Sequence, residues 1–276
     1  MLDDGPFSQI PIWGFFIGTL LLVLLSVEAG YRWARYQQTR SQQEKEAPVG
    51  AMVGATLGLL AFLLAITFAM AADSFHARRV ALLDEVNAIR TAYLRTDLIA
   101  EPQRTQVRKL LAEYVDERLH WVGVRGKAQP SHSPKELHDR LWAQAAAVDF
   151  DSGPEVVSLF VDSMNKVIDL HAERILVRER SRIPGTVWVV LYLVAVLTLA
   201  AMGYHGGIAG TSRSPVMLAV ALAFSLVIVL IVDLDRPGEG LIDVSQQMMI
   251  DLRDSLADTK SSTRAHKEEA GNTSDP

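Results

Sequence analysis

Charged side chains at the edges of uncharged stretches are the residues of this sequence best placed to act on ions. They are Glu28, Asp73, Arg78, Arg79, Asp233, Asp235 and Arg236. A charge at the edge of an apolar phase is costly unless it is paired or hydrated, and such charges often mark ion or proton paths. Arg78 and Arg79 are candidate partners for Asp73, as Arg236 is for Asp235. Carboxylates along a path favour cations and arginines favour anions, and the sequence leaves open which of them line one.

Residues that catalyse reactions or bind metals follow no recognised pattern here. The seven histidines are scattered and form no His-Glu-x-x-His motif. No two histidines or carboxylates at the helical spacing of metal ligands are accompanied by a third residue that could complete a metal site. There is no Gly-x-Ser-x-Gly element, no phosphate-binding loop and no cysteine. We interpret His132 and His138 as surface histidines. We therefore expect no enzyme, no cofactor and no metal site, and the mixed net charge of −5 argues against a nucleic-acid partner.

Four stretches without acidic or basic residues are the elements that position these charges. They cover residues 5–27, 47–72, 183–212 and 214–232. Each is about as long as the roughly 20 apolar residues that cross a hydrocarbon core about 30 Å thick. Because lipid offers no hydrogen bonds to a peptide backbone, each stretch must be helical. The sequence thus predicts four transmembrane helices, with the lipid bilayer as a partner.

A helical soluble insert separates the second and third spans. Apolar residues recur at helical spacing directly after span two, at Leu82, Val86, Ile89 and Tyr93. No helix-breaking residue separates them from the span, so we expect one long continuous helix that extends out of the membrane. Further helices are predicted from Pro102 and from Ser133-Pro134-Lys135-Glu136, a capping box with proline at the first helical position. No strand-like alternation is present, and the predicted fold class is all-α.

The chain divides accordingly into five segments. Residues 1–72 hold spans one and two with a short polar loop, 73–182 the insert, 183–235 spans three and four, 236–258 an amphipathic C-terminal segment, and 259–276 a polar tail expected to be disordered. Breaks are predicted at the loop around residues 123–134 and at Pro237, Gly238 and Gly240. The apolar residues of the C-terminal segment are Leu241, Val244, Met248, Leu252 and Leu256.

Two stripes of side chains on the second span indicate how it packs. The small-residue stripe consists of Gly50, Gly54, Gly58, Ala61 and Ala65. Small residues let helices approach closely, either inside one four-helix bundle or between subunits. Across from it lies a bulky column at i, i+4 and i+8, formed by Phe62, Ile66 and Met70. Such a column either faces lipid or forms a hydrophobic constriction that gates a pore by excluding water.

Arginines at the end of the insert form a second basic group, and they complicate the membrane orientation. Arg174, Arg178, Arg180 and Arg182 precede span three, and we interpret them as a collar that binds lipid headgroups. Positive-inside counting around span one puts the first loop in the cytoplasm. The same count at the insert argues for the reverse.

Three blocks of this sequence resemble the bacterial bestrophin-like membrane proteins, a family of unknown function also labelled DUF4239. The blocks are "LLAFLLAITFAMAADSFHARRVALLDEVNAIRTAYLR", "EPQRTQVRKLLAEYVDERL" and "DLDRPGEGLIDVSQQ", and the likeness extends from about Val49 to Leu252. More distantly, the four spans, the long insert and an apolar second span running into "FHARR" resemble bestrophins, which are pentameric ion channels whose second helices line the pore. This resemblance implies that Phe62, Ile66 and Met70 are neck residues. The aromatic-rich block after span two and an acidic calcium clasp are not matched, so calcium gating is not implied.

Our leading hypothesis is a homo-oligomeric ion channel, pentameric if it is bestrophin-like, whose second helix lines a pore for inorganic ions. The resemblance implies a bacterial cytoplasmic membrane, with the termini and the insert in the cytoplasm. The alternative is a non-conducting membrane scaffold or sensor that binds a partner through its insert and its C-terminal segment.

Overall fold

The computed structural model describes residues 11–39, 46–121, 132–148, 153–180, 182–210, 215–236 and 242–258. The helices are α1 (Ile12–Gln38), α2 (Glu46–Arg95), α3 (Gln103–Trp121), α4 (Pro134–Ala146), α5 (Pro154–Arg180), α6 (Gly185–Ile208), α7 (Pro215–Asp235) and α8 (residues 247–258), with a 3₁₀ turn at Thr96–Leu98 after α2. These ranges contain no β-strand, which confirms the all-α class. The predicted loop after α3, the breakers after α7 and the polar tail fall largely or wholly outside the described residues.

Four of the described helices, α1, α2, α6 and α7, are long and apolar enough to cross a membrane, as the sequence predicts. Pro184 is the N-cap of α6, and α7 begins at Pro215, where a missing N–H costs least. Helix α1 continues through residues that the sequence suggested as a loop. The Arg32 Nε donates to Glu28 Oε1 at 2.7 Å, one turn apart, which supports this extension.

The chain divides into two compact units. The first, which we call the membrane unit, holds residues up to 77 and 180–243, and so contains α1, the first part of α2, α6 and α7. Glycines let α1 and α6 touch backbone to backbone. A Cβ at Gly30 would overlap the carbonyl oxygen of Ala200, and one at Gly203 would overlap that of Val27. Close approach through small residues is how helices associate in lipid, where burial from water gives little driving force.

The second unit, which we call the soluble unit, contains residues 78–179 and 244 onward. The predicted stripe of Leu82, Val86, Ile89 and Tyr93 is buried in its core. The capping box is also present, because the Ser133 Oγ accepts the Glu136 backbone N–H at 3.2 Å. Helix α8 packs into the same core through Met249, Leu252 and Leu256, so part of the apolar side of the C-terminal segment is covered by its own chain.

Candidate functional site

One face of α2 is used inside its own chain. Val53, Leu60, Leu64, Thr67 and Ala71 are buried on this face. Leu60, Leu64 and Ala71 belong to an apolar cluster that also includes residues of α1, α6 and α7. This face fixes the orientation of α2 in the membrane unit and determines which side chains remain uncovered.

Most of the small-residue stripe lies outside that packed face. Gly50 contacts α6, since a Cβ there would lie 2.9 Å from the His205 Nε2. A Cβ at Gly54 or Gly58 would meet no described atom within 4 Å, and Ala61 and Ala65 are exposed. Packing within one bundle therefore does not account for Gly54 and Gly58. Among the described residues nothing covers these two glycines, and a second copy of the chain or the surrounding lipid is a candidate neighbour for them.

The bulky column is also uncovered in the single chain. Phe62 is 62% exposed, Ile66 43% and Met70 36%. At 3.6 residues per turn, the column is centred about 120° from the stripe around the α2 axis, so the two lie on neighbouring faces of the helix and are not directly opposite. Both point away from the buried face. A second helix that packs against the stripe would therefore not cover the column, which would lie at the side of that helix–helix contact.

The charges at the ends of the spans take part mostly in local structure. Asp233 is buried and accepts the Ile242 N–H at 3.0 Å, and Asp235 accepts the Ile183 N–H at 2.9 Å. The Arg236 guanidinium lies 5.4 Å from the centre of the Phe15 ring. These two carboxylates in the last turn of α7 thus bind one backbone N–H before the third span and one after the fourth.

The remaining charges in this group lie on α1 and α2. Glu28 pairs with Arg32 on α1. On α2, Asp73 and Arg79 are exposed and Arg78 is half-buried. Of the carboxylates in the group, Asp73 is the exposed one on the helix that carries both stripes.

The soluble unit contains a buried charged network centred on Glu85 of α2. Glu85 Oε2 lies 3.2 Å from the Arg118 Nε of α3 and 3.0 Å from the Arg174 Nε of α5. Tyr114 donates a hydrogen bond to Glu85 Oε1 at 2.8 Å, and its hydroxyl lies 3.0 Å from the His171 Nδ1. We call these five residues the Glu85 network.

Aromatic rings close the network on its other side. The His138 ring of α4 stands edge-on to the His171 ring with centroids 4.7 Å apart, and Trp121 stands edge-on to His171 at 5.9 Å. Burial alone raises the pKa of Glu85, but the neighbouring His171, whose Nδ1 lies 3.8 Å from Glu85 Oε1, and the charges of the two arginines outweigh it and lower that pKa to about 2. Burial, and then His171, lower the pKa of His138 to about 4.

Two interpretations from the sequence are wrong at this network. The sequence places Arg174 in a headgroup collar, whereas in the structure its side chain is 14% exposed and pairs with Glu85. The sequence predicts a surface position for His138, whereas its ring is half-buried and packs against Tyr114 and His171. A signal was present in the sequence, because Glu85 occupies a core position between Leu82 and Ile89 in the helical repeat. A charge at a core position requires buried partners.

Comparison with known proteins gives a family and a fold. The profile of a family described as Bestrophin-like domain matches residues 17–249. No curated protein matches the chain. A bacterial bestrophin homologue from Klebsiella pneumoniae, crystallised with one substitution, gives a TM-score of 0.63 at 13% identity over 91% of this chain and 99% of that chain. Another substituted form of the Klebsiella pneumoniae homologue gives a TM-score of 0.65 at 12% identity over 90% of this chain and 97% of that chain. A structure described as a membrane protein gives 0.58 at 13% identity over 90% and 97%. At such identities the likeness shows the fold.

Proposed function

Because the chain belongs to the bestrophin-like family, we propose that it assembles into a homo-oligomeric ion channel whose pore is lined by α2. One observation carries the proposal: the membrane part of α2 is packed along a single face, while its bulky column and all of its small-residue stripe except Gly50 are uncovered. Copies arranged about an axis would contact each other through Gly54, Gly58 and their neighbours. The adjacent column would then face the axis.

In this assembly, Phe62, Ile66 and Met70 form the narrow part of the pore. Rings of apolar side chains gate a pore by excluding water, so the column would act as the hydrophobic constriction. The family likeness favours five subunits, a bacterial cytoplasmic membrane, and an insert and termini on the cytoplasmic side.

We further propose that Asp73 sets the charge preference of the channel. By helical periodicity Asp73 lies on the same flank of α2 as the column, just beyond Met70, and it is exposed. A ring of carboxylates at the end of a constriction attracts cations. Asp233 and Asp235 are less suited to this role, since each accepts a backbone N–H of its own chain.

Recording from purified protein in planar bilayers tests the channel. We expect a conductance that rises in Phe62→Ala and Ile66→Ala. The rise should be about tenfold if each ring contributes about 1.4 kcal/mol to the dewetting barrier. Leu193→Ala is the matched control, because Leu193 lies on α6 and is 57% exposed. Absence of conductance for any common ion in wild type and in both column variants would reject the proposal.

The scaffold or sensor alternative has weaker support. It requires the C-terminal segment to offer an apolar face to a partner, yet Met249, Leu252 and Leu256 are buried in the core of the soluble unit. It also predicts a column that faces lipid. Cysteines introduced at Phe62 and Ile66 in the cysteine-free chain separate the two hypotheses, since labelling from the aqueous side supports a pore.

A further inference from the structure

The Glu85 network contains more positive than negative charge and is closed to solvent. The guanidinium groups of Arg118 and Arg174 both face the one carboxylate, and the exposed fractions of the three side chains are 2%, 14% and 0% for Arg118, Arg174 and Glu85. Arg178 adds a further positive charge beside Arg174. Since a buried charge is tolerated only when it is paired, any additional cation here is costly.

The hydrogen bonds of the Glu85 network determine which atoms of Tyr114 and His171 carry hydrogen. The Tyr114 hydroxyl has one hydrogen, which it donates to Glu85. The same oxygen lies 3.0 Å from the His171 Nδ1 and must therefore accept a hydrogen from it. His171 therefore carries a hydrogen on Nδ1.

His138 extends the network to α4. Its ring lies against both Tyr114 and His171, and its Nε2 is buried with no hydrogen-bond partner in the described part of the chain. The charged groups that act on His138 are His171, Glu85 and Asp139. Asp139 and Glu85 favour an imidazolium at this position, whereas burial and His171 oppose it. The lowered pKa of His138 shows that the opposing effects prevail.

We propose that His138 and His171 form an acid-sensitive lock that holds α4 against the core of the soluble unit. A proton taken up by His138 adds a third cation to the two guanidinium groups around the single carboxylate of Glu85. The repulsion among these cations is lowered at the least cost in free energy when α4 moves outward and His138 becomes hydrated. The lock does not depend on the proposed ion conduction. If the protein is a channel, the lock would make its soluble unit responsive to pH.

A thiol introduced into the cysteine-free chain reports directly on α4. Ala145 lies on α4 and Ala92 on α2, and both are buried, at 2% and 0% exposure. In Ala145→Cys we expect 4,4′-dithiodipyridine, which reacts in acid, to label faster at pH 5 than at pH 7.5. The expected acceleration is up to about 30-fold, which is the change in opening for a histidine whose pKa is about 4 when α4 is packed and 6.5 when α4 has moved away. Ala92→Cys should label at nearly the same rate at both pH values.

Replacing His138 tests the origin of the effect. His138→Phe keeps an aromatic ring and loses no hydrogen bond at Nε2, so it should fold and should abolish the acid step in Ala145→Cys. His76→Gln, which removes an exposed histidine of α2, should leave the step intact. An acid step that survives His138→Phe overturns the lock, as does equal acceleration at both cysteines. If the protein shows the acid-dependent increase in labelling but conducts no ions, the channel proposal is rejected and the lock is retained.

Discussion

Glu85 and Arg118 lie 33 residues apart in the sequence and form an ion pair that is closed to water. Oε2 of Glu85 lies 3.2 Å from the Arg118 Nε, and the side chains are 0% and 2% exposed. Arg174 and Tyr114 occupy the remaining sides of the carboxylate. The pair thus joins α2 to α3 within the core of the soluble unit.

Loss of this carboxylate should destabilise the protein strongly. Glu85→Gln leaves two guanidinium groups buried without a counter-charge, and breaking a buried pair from one side costs about 3–5 kcal/mol. Arg253→Gln removes a surface pair with Asp116, whose side chains are 38% and 43% exposed, and should cost about 0–1 kcal/mol. Unfolding in urea, followed by tryptophan fluorescence in detergent, measures both. Equal losses would contradict the assigned role of Glu85.

Stability should fall steadily in acid. His138 has a pKa of about 4 in the folded chain and 6.5 when exposed. As pH falls from 6.5 to 4, the unfolded chain binds the proton first, and stability is lost progressively over this interval. Glu85, with a pKa lowered from 4.5 to about 2, acts in the same direction between those values. Melting temperatures measured from pH 7.5 to 3 test this, and a flat profile down to pH 4 would be inconsistent with a half-buried, neutral His138.

The uncovered glycines of α2 should control assembly. A Cβ at Gly58 meets no described atom, so Gly58→Leu should leave the single chain intact and obstruct contact between copies. Gly18→Leu is the matched control, because a Cβ at Gly18 on α1 is equally free of neighbours. Native mass spectrometry from detergent should show an oligomer for wild type and Gly18→Leu, and smaller species for Gly58→Leu. An oligomer unaffected by Gly58→Leu would point to lipid as the neighbour.

Neutralising Asp73 should weaken cation preference. Asp73→Asn removes one exposed carboxylate per subunit, which contributes on the order of 1 kcal/mol of cation attraction, or about fivefold in relative permeability. Reversal potentials in a KCl gradient measure the ratio. Glu28→Gln serves as the control, since Glu28 is paired with Arg32 on α1. An unchanged reversal potential would mean that Asp73 lies off the ion path.

The contact between α1 and α6 should tolerate no added atom. Gly203→Ala places a methyl group against the Val27 carbonyl, and such overpacking costs about 1–3 kcal/mol. Gly185→Ala adds the same group where no described atom lies within 4 Å, and should be neutral. The free energy of unfolding of each variant in detergent is the measurement. A neutral Gly203→Ala would show that the two helices can separate without loss.

The sequence by itself determined the number and type of the elements. Four uncharged stretches had to be helical because lipid supplies no hydrogen bonds, and the repeat of Leu82, Val86 and Ile89 marked the face that is buried in the soluble unit. Both stripes on α2 were also visible, since each depends only on the period of one helix. These features are local, and a local pattern can be read along the chain.

Only the tertiary structure decided which faces meet. Whether Gly54 packs inside the bundle depends on how α2 is rotated against three other helices, and the uncovered Gly54 and the α1–α6 contact at Gly203 follow from that rotation. The Glu85 network draws side chains from α2, α3 and α5, with α4 packed against it through His138. A buried charge signals that partners must exist, but the sequence does not name them because they come from distant parts of the chain.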